Sequence, residues 1–484
     1  MKRSNHRQKR GKLYLSCSNR CKGNYLRKTN RGDDIMQISN KRRMLWPLLM
    51  VTFLVWATAG CSGDKPESAK AVNNESKQEA NKSAPAAKPK LVYWTSRSQT
   101  DTDRVKAEIL ADVTKEIDLE IVLIPGAEYE NKLRIAISGG NAPDVFDVDG
   151  VYTSNYAYGG ALLPLDKYWD NKDYDDYVQS SKDKTTYNGK KYAASLYESS
   201  VVLYYNKDHF EKAGITNVPT KVSDAWTFEQ YLDAAKKLTI RDTSGKVTQY
   251  GAIPYGWTTP DDTSESASFT HFLNLWNHGA EVLDPKLMTA KGYLNSDKTV
   301  QVLQEYQDYF QKYKISPLEK IVQGFETGKI SMIIANISNT YTYKSKFPDL
   351  KFGVMPLPRG DKNYGSSGGW NIGISAKTKN PDAAWKVVNA ITGKDGHKKF
   401  TEMFNYMPSR KSALDSNTAL KEFPLSLAKE LMNNARARPV TPAYAELSPI
   451  FAEMMNAVAY GGNPRELANK AADNIDKALK KYAP

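Results

Sequence analysis

The chain has 484 residues, of which 40% are hydrophobic and 25% charged, and this composition fits a soluble globular protein of two or three domains. Its formal charge of +14 lies almost entirely in residues 1–60, which carry a net +12, whereas residues 61–484 carry a net +2. Nucleic-acid binding needs clustered positive charge on the folded body, so this distribution argues against a nucleic-acid partner.

Residues 1–60 are predicted to be a leader. Lys41-Arg42-Arg43 precede an apolar run over residues 44–60, and Thr58-Ala59-Gly60-Cys61 resembles the lipobox at which bacterial lipoproteins are cleaved. We therefore predict that Cys61 becomes the lipidated first residue and holds the protein at the outer face of the cell membrane. An uncleaved N-terminal membrane anchor is an alternative, because the length of the apolar run distinguishes poorly between a cleaved leader and an anchor. Met36 would start a leader of ordinary length, so the true start could lie there.

Residues 61–90 are predicted to be a disordered tether. They are rich in Ser, Ala, Lys, Glu, Asn and Pro, and they have too few apolar side chains to build a core. The other two cysteines, Cys17 and Cys21, lie in the leader, and no second Cys/His pair follows them at zinc-site spacing. Neither a metal site nor another cofactor is therefore predicted.

From residue 91 onwards the pattern alternates between strands and helices. Apolar runs predict strands at residues 91–94, 119–124 and 145–148. Before the third strand, one helix face is marked by apolar side chains at i, i+4, i+7 and i+8, which are Tyr129, Leu133, Ala136 and Ile137. This β-α-β-α-β order predicts an α/β fold with a mainly parallel sheet.

The same alternation continues through the second half. Strands are predicted at residues 201–205, 330–335 and 352–355. Thr227-Phe228-Glu229-Gln230 matches a capping box, because the threonine hydroxyl and the glutamine side chain can each satisfy a free backbone N–H at a helix start. Asn380-Pro381-Asp382 predicts another helix start, with a capping residue, a proline in the first turn and an acid favoured by the helix dipole.

Four stretches in order resemble the family 1 extracellular solute-binding proteins, the group that contains the maltose/maltodextrin-binding proteins. The stretches are Tyr129-Glu130-Asn131-Lys132-Leu133 with Gly139-Gly140-Asn141-Ala142-Pro143-Asp144, Leu203-Tyr204-Tyr205-Asn206-Lys207, Phe325-Glu326-Thr327-Gly328-Lys329 with Met355-Pro356-Leu357-Pro358, and Gly368-Gly369-Trp370-Asn371-Ile372-Gly373 with Asn380-Pro381-Asp382. The resemblance covers almost all of residues 91–484.

The resemblance implies a two-lobed α/β fold of the type II periplasmic-binding-protein kind, with a hinge that the chain crosses several times. We place crossings near residues 197–199, 368–370 and 404–409. Lobe 1 would then comprise residues 91–198 plus 371–405, and lobe 2 residues 199–370 plus 406–484. The ligand would lie in the cleft between the lobes, where the carboxyl ends of α/β strands point.

The resemblance also implies the function. We expect a monomeric receptor that captures a carbohydrate, most simply an oligosaccharide, and hands it to the permease of an ATP-driven (ABC) importer after the cleft has closed. The family carries no catalysis, so no catalytic residue is predicted.

Ligand contacts in lobe 1 are expected after two strands and at the first crossing. A sugar presents hydroxyl rims and apolar C–H faces, which aromatic rings, carboxylates, amides and arginine can contact. The candidates are Trp94, Ser96 and Arg97 after the first strand, Asp147 and Asp149 after the third, and Tyr197 and Glu198 at the crossing. Trp94 would serve equally as a core residue, and the two aspartates as solvated turn residues.

Further contacts are expected from lobe 2 and the later crossings. Tyr255 and Trp257 form an aromatic pair in a loop, where exposed rings are unusual without a partner. The remaining candidates are Asn336 at a strand end, Trp370 beside two glycines at the second crossing, and Arg410 near the third. Arg410 could instead pair with a surface acid. Two other tryptophans, Trp276 and Trp385, lie in apolar patterns and are expected in the core.

Two other functions stay open at this stage. Residues 91–484 contain four histidines, and no nucleophile-elbow, zinc-protease or phosphate-loop motif is present in the sequence. Carboxylate pairs for glycoside cleavage form in space rather than in sequence, so a secreted lyase or hydrolase is one alternative. A surface lipoprotein without a transport role is the other.

Overall fold

The computed structural model of the chain describes residues 87–256, 259–262 and 265–482. The predicted leader, Cys61, the predicted tether up to residue 86 and Trp257 lie outside the described residues.

The first part of the described chain alternates strands and helices as the apolar pattern predicts. Its elements are β1 (Lys90–Thr95), α1 (Gln99–Glu108), α2 (Val113–Glu116), β2 (Asp118–Leu123), α3 (Gly126–Ser138), β3 (Val145–Asp149), α4 (Thr153–Tyr158), α5 (Asn171–Tyr174), α6 (Gln179–Thr185), β4 (Thr186–Tyr187), β5 (Lys190–Lys191) and β6 (Ala193–Ser195).

The middle of the chain carries the second set of elements. They are β7 (Val201–Asn206), α7 (Lys207–Lys212), α8 (Phe228–Leu238), β8 (Ile240–Arg241), β9 (Val247–Gln249), α9 (Glu265–Asn277), α10 (Asp297–Phe310), β10 (Met332–Asn336), α11 (Asn339–Lys346), β11 (Phe352–Met355) and β12 (Gly365–Ser367).

The last part returns to the first sheet and then ends in helices. Its elements are β13 (Trp370–Ile374), α12 (Pro381–Thr392), α13 (Lys394–Phe404), α14 (Lys411–Ser416), α15 (Leu425–Met432), β14 (Ala435–Ala437), α16 (Tyr444–Ala459) and α17 (Pro464–Lys480). Single 3-10 turns occupy Gly150–Tyr152, Asp166–Tyr168, Val222–Asp224 and Thr418–Lys421.

The capping box predicted at the start of α8 is confirmed. The Thr227 hydroxyl accepts a hydrogen bond from the backbone N–H of Gln230 at 3.2 Å, and the Gln230 side chain accepts one from the Thr227 N–H at 2.8 Å. The helix then buries Tyr231, Ala235 and Leu238 on one face. Each large apolar side chain buried in this way contributes roughly 1.5–3 kcal/mol, so the buried face fixes the helix on its lobe.

Two sheets define two lobes. Lobe 1 is built on a five-stranded sheet in the order β2-β1-β3-β13-β6, and lobe 2 on a three-stranded sheet in the order β10-β7-β11. In the first sheet β2, β1 and β3 are parallel, whereas β13 is antiparallel to both of its neighbours. The second sheet is entirely antiparallel. The prediction of a mainly parallel sheet is therefore wrong for lobe 2 and holds for only part of lobe 1.

The reversed direction of β13 follows from the path of the chain. The strand begins at Trp370, where the chain re-enters lobe 1, and Trp370 lies opposite Asp149 at the end of β3. A strand that starts where its neighbour ends must run antiparallel to it. As a result, the ends of β1 and β3 and the start of β13 share one edge of the sheet.

Each lobe has its own apolar core. In lobe 1 the sheet packs against α12 and α13 through buried side chains that include Leu91, Ile372, Val388 and Phe400. In lobe 2 the helices α9, α10, α16 and α17 pack around Phe272, Leu303, Phe451 and Ile475. The protein thus has two α/β units, each with its own apolar core, joined at a hinge. Proteins that bind a ligand in a cleft use this architecture to close over it.

The crossings between the lobes are tied to one another and to lobe 1 by backbone hydrogen bonds. The Glu198 N–H donates to the Met407 carbonyl at 2.8 Å, and the Gly150 N–H donates to the Gly369 carbonyl at 3.1 Å. Gly369 has a φ of +90°, and a Cβ at this position would collide with the Tyr197 carbonyl oxygen. Only glycine therefore fits where the second crossing passes over the first.

Candidate ligand-binding cleft

Two tryptophans lie at the shared edge of the lobe 1 sheet. Trp94 is near the end of β1 and Trp370 starts β13, and both are half-buried. The Trp370 ring meets the Tyr129 ring edge to face, with 5.5 Å between their centroids. Both tryptophans pack onto a small core that includes Phe146 and Leu133. A half-buried ring held on a core keeps a rigid face that a sugar can stack on.

Arg97 is held beside this edge by Asp147. The Asp147 carboxylate accepts hydrogen bonds from Tyr93 at 2.7 Å and Thr95 at 2.6 Å, and it pairs with Arg97 at 3.3 Å. Burial raises the pKa of Asp147, and Arg97 offsets part of that effect. Because both Asp147 oxygens have protein partners, we expect Asp147 to position Arg97 rather than to touch a ligand.

An ion pair joins lobe 1 to lobe 2 at the same edge. Arg438, which lies between β14 and α16 and is only 5% exposed, pairs with Asp149 of lobe 1 at 3.3 Å and with Glu265 of lobe 2. The Glu265 carboxylate also accepts hydrogen bonds from Tyr444 at 2.6 Å and from Ser448. Burial raises the pKa of Glu265, and the Arg438 charge counteracts it.

Aromatic rings surround this ion pair. The Arg438 guanidinium lies 4.7 Å from the centroid of the Phe269 ring. Tyr152 of lobe 1 meets Tyr444 of lobe 2 edge to face, at 6.1 Å between ring centroids. Cation–aromatic contacts of this kind strengthen when water is excluded. The edge therefore combines aromatic faces with charged hydrogen-bonding groups from both lobes.

Glu130 on α3 adds a third carboxyl group to this region. The Tyr156 hydroxyl donates to Glu130 Oε1, while Glu130 Oε2 is buried and has no hydrogen-bond partner among the described residues. Burial raises the pKa of Glu130 to about 7, and the negative charges of Asp149 and Glu265 contribute to the increase. Glu130 is thus partly protonated near neutral pH.

Tyr197 and Glu198 lie in the first crossing, as predicted, but their side chains serve the hinge. The Tyr197 ring stacks on Tyr406 of the third crossing at 4.1 Å. Glu198 is buried, pairs with Lys184 at 2.8 Å, and accepts a hydrogen bond from Ser367 at 3.0 Å. Since protein donors occupy its carboxylate, we no longer expect Glu198 to reach a ligand.

Tyr255 is not the exposed loop aromatic that the sequence predicts. It is only 1% exposed, stacks on Tyr306 at 5.6 Å inside lobe 2, and its hydroxyl lies 3.2 Å from Nε2 of His278. That part of the prediction is wrong, because the loop folds back onto α10 and buries the ring. Trp276 is buried as predicted, and Trp385 is half-buried against Tyr168.

Arg410, which the predicted bounds assign to lobe 2, is fully buried among residues of lobe 1. Its guanidinium pairs with Asp173 at 2.9 Å and Asp176 at 3.3 Å, donates to the Thr392 carbonyl at 2.8 Å, and lies over the Tyr177 ring. These contacts use the donors of Arg410 within the protein, so it is not proposed as a ligand contact.

Asn336 and Ser96 occupy the rim. Asn336 ends β10, is half-buried, lies opposite Val201 beside the first crossing, and accepts a hydrogen bond from the Ser338 N–H at 3.0 Å. Ser96 is half-buried just after β1. Both stay proposed ligand contacts, as do Trp94, Arg97, Asp149 and Trp370.

A cavity of about 620 Å³ in lobe 2 borders this region. Its lining includes Ser266, which directly follows Glu265, and Asn339, which begins α11 just beyond Asn336. Asp261 and Gln323 add polar groups, and Tyr343 adds an aromatic ring. The size and mixed lining suit further units of an oligomeric ligand.

The sequence analysis missed Glu130, Glu265 and Arg438. Glu130 lies inside one of the quoted motifs, but its position there predicts only a helix face. Glu265 and Arg438 are 173 residues apart along the chain, and no spacing rule predicts their pairing. The sequence around each of these residues is itself rich in polar and charged side chains, so their charge gives no signal that would select them.

The described part of the chain has neither a metal-binding cluster nor a membrane-spanning helix. Among residues 87–256, 259–262 and 265–482, no group of three or more His, Cys, Asp or Glu side chains is arranged to hold a metal ion. In the same ranges, no helix has the length and apolar character that a membrane span requires.

Comparison with known proteins identifies the architecture. The family model described as bacterial extracellular solute-binding protein matches residues 98–398, more than half of the chain. The chain belongs to this family. Its members are binding proteins that act outside the cytoplasm with the permeases of ABC transporters.

Individual members show the extent of the similarity. The arabinooligosaccharide-binding protein of Bacillus subtilis is 25% identical over 386 residues, which span 75% of this chain and 79% of that protein. A Thermotoga lettingae solute-binding protein, solved with alpha-D-tagatose, superposes with a TM-score of 0.71 at 25% identity, over 81% of this chain and all of that chain. A Listeria monocytogenes substrate-binding protein, solved with cycloalternan, has the same two-lobed fold, with a TM-score of 0.69 at 22% identity over 81% of this chain and all of the other.

Proposed function

We propose that this solute-binding protein captures a carbohydrate between its lobes and delivers it, chemically unchanged, to an ABC importer. The observation that carries the proposal is the shared edge where half-buried Trp94 and Trp370 lie beside the Asp149–Arg438 ion pair. Sugars need stacking faces together with hydrogen-bonding groups, and this edge offers both. The Bacillus relative is named an arabinooligosaccharide-binding protein, and the Thermotoga relative was solved with the sugar tagatose. Both support a carbohydrate as the ligand.

Closure of the cleft would supply the transport signal. Asp149 and Arg438 belong to different lobes, and ligand groups placed between the lobes would add contacts to both. A ligand that contacts both lobes binds the closed form more tightly and shifts the population towards it. The permease would then recognise the closed form.

One observation favours a second function. Glu130 is a buried carboxyl group with a pKa of about 7 in the electrostatic field of Asp149, and such a pair can serve as acid and base in glycoside cleavage. A secreted hydrolase or lyase is therefore the rival proposal. Family membership opposes it, since the family's proteins bind rather than catalyse.

The decisive experiment combines binding with product analysis. The protein is titrated calorimetrically with arabino-, gluco-, manno- and galacto-oligosaccharides, and each mixture is then separated by chromatography. Saturable binding with intact sugar recovered supports the receptor. Cleaved products would support the enzyme, and no binding by any sugar would support a surface lipoprotein without a transport role.

We also propose that Cys61 carries a lipid that anchors the receptor at the outer face of the cell membrane, and that the receptor is a monomer. The lipobox-like Thr58-Ala59-Gly60-Cys61 supports the anchor. Cys61→Ser should leave the protein uncleaved or release it to the medium, and it should abolish incorporation of labelled palmitate. Labelling of the serine variant would refute the assignment. Analytical ultracentrifugation of the soluble domain tests the oligomeric state.

A further inference from the structure

The cleft edge carries an excess of negative charge. Glu130 and Asp149 of lobe 1 and Glu265 of lobe 2, here called the interlobe carboxylates, influence one another electrostatically. Arg438 is the cation that pairs with this group among the described residues, and it serves Asp149 and Glu265 together. Glu130 has no ion-pair partner among the described residues.

The charges of the other cations near this edge are balanced by acids outside the interlobe group or screened by solvent. Arg97 pairs with Asp147, and Lys184 pairs with Glu198. Arg134, on the same helix as Glu130, is exposed and donates to Asn131 at 2.6 Å. An exposed charge is screened by water and salt, so it compensates a buried carboxylate weakly.

Two buried polar atoms in this group lack hydrogen-bond partners. Glu130 Oε2 accepts no hydrogen bond, and Nε of Arg438 donates none, although the Arg438 side chain is only 5% exposed. Buried polar groups are almost always satisfied, because an unmade bond costs the full desolvation of the group. Both atoms are closed to solvent in this arrangement of the lobes, so a ligand's polar groups can reach them only when the lobes move apart.

We propose that the interlobe carboxylates make this receptor selective against acidic sugars, and that Glu130 sets the selectivity by accepting a hydroxyl or amine donor from the bound sugar. The inference rests on the proposed function, since it concerns the charge class of the same ligand. Glu130 is then a specificity-determining residue of the cleft.

The chemistry of the ligand follows from the balance of donors and charges. A neutral sugar supplies an O–H to Glu130 Oε2, and its ring or hydroxyl oxygens can accept from Nε of Arg438. An amino sugar supplies N–H donors and also neutralises part of the excess negative charge. A uronic acid offers its carboxylate to a site that already holds three, and like charges brought together out of water repel strongly.

Matched sugars test the selectivity on the unaltered protein. The probes are cellobiose, the glucosamine disaccharide and cellobiouronic acid, together with galactobiose and digalacturonic acid, each titrated by calorimetry at fixed ionic strength and pH 8.5, where Glu130 is ionised. We expect neutral or amino members to bind and their acidic counterparts to bind about tenfold more weakly or worse. An acidic member that binds as tightly as its neutral counterpart would overturn the inference and leave the receptor function standing. Failure of every member to bind, together with failure of all the arabino-, gluco-, manno- and galacto-oligosaccharides named above, would refute both.

A pair of variants tests the role of Glu130. Glu130→Gln keeps the side-chain shape and an acceptor for Tyr156 but removes the charge, and it should reduce the discrimination against the acidic sugar by about tenfold. Glu128→Gln, an exposed position on the same helix, is the matched control and should leave the discrimination unchanged. Equal discrimination in wild-type protein and Glu130→Gln would assign the selectivity elsewhere and overturn the proposed role. Circular dichroism of both variants checks the fold.

Discussion

Replacing Glu130 by glutamine should remove part of the pH dependence of stability. In the folded protein the pKa of Glu130 is about 7, mainly because the group is buried, whereas the ordinary value is 4.5. Between these pH values the folded state binds more protons than the unfolded state. The free energy of unfolding therefore falls as the pH rises from about 4.5 to about 7 and changes little through this group outside that window.

The magnitude follows from the same two values. Each tenfold difference in proton affinity corresponds to about 1.4 kcal/mol, so the full contribution of Glu130 is about 3–4 kcal/mol, of which about 2–3 kcal/mol falls between pH 5 and pH 8. Glutamine cannot titrate, and it keeps an oxygen for the hydrogen bond from Tyr156.

Chemical denaturation at pH 5 and pH 8 measures this effect. We expect the loss of stability between pH 5 and pH 8 to be smaller by about 2–3 kcal/mol in Glu130→Gln than in the wild-type protein. Asp147, another buried acid whose pKa is raised, contributes equally to both proteins and cancels. Glu265 interacts electrostatically with Glu130, so loss of the Glu130 charge lowers the pKa of Glu265 and changes the pH dependence in the same direction. Exposed Glu128→Gln should behave as wild type. The same pH dependence in Glu130→Gln and wild type would refute the burial argument.

Three further substitutions test other parts of the account. Trp370→Ala should weaken sugar binding about tenfold while lowering the melting temperature of the sugar-free protein only slightly, because the ring is half-buried; a large drop without ligand would make it a core residue. Arg438→Met should destabilise the protein by about 3–5 kcal/mol in urea denaturation, because it leaves buried carboxylates unpaired. Arg436→Met, whose pair with an acid is more exposed, should cost about 1 kcal/mol or less, and equal losses would contradict the interpretation. Gly369→Ala should lower the free energy of unfolding by about 2 kcal/mol more than Gly214→Ala does. Both glycines have positive φ, but only at Gly369 does a carbonyl oxygen lie where the Cβ would be. Equal midpoints in urea denaturation would exclude the predicted collision.

The apolar periodicity predicted the main strands and helices well because those elements bury one side. The strand predicted at residues 145–148 is Val145–Asp149, and the one at 352–355 is Phe352–Met355. Apolar periodicity does not predict strand direction, because direction depends on where the chain re-enters a sheet. The reversed β13 follows from the crossing at Gly369, which local pattern cannot reveal.

The site was harder to predict for a related reason. Positions at strand ends, such as Asp149 and Trp370, follow from topology, and the structure places these two opposite each other. Whether a polar side chain faces the cleft or satisfies a neighbour depends on packing between distant segments. Arg410 and Glu198 have suitable chemistry for a ligand, yet charged partners within the protein occupy both. Arg438 lies in a short connection without a recognisable motif, and only the fold brings it to Asp149.

A crystal structure of the protein grown with its tightest-binding oligosaccharide would test the central claim most directly. We predict an intact sugar between the two lobes, with a ring face against Trp370 or Trp94 and a hydroxyl or amine donor at Glu130 Oε2. A sugar bound on the outer surface of one lobe, or one found cleaved, would contradict the account.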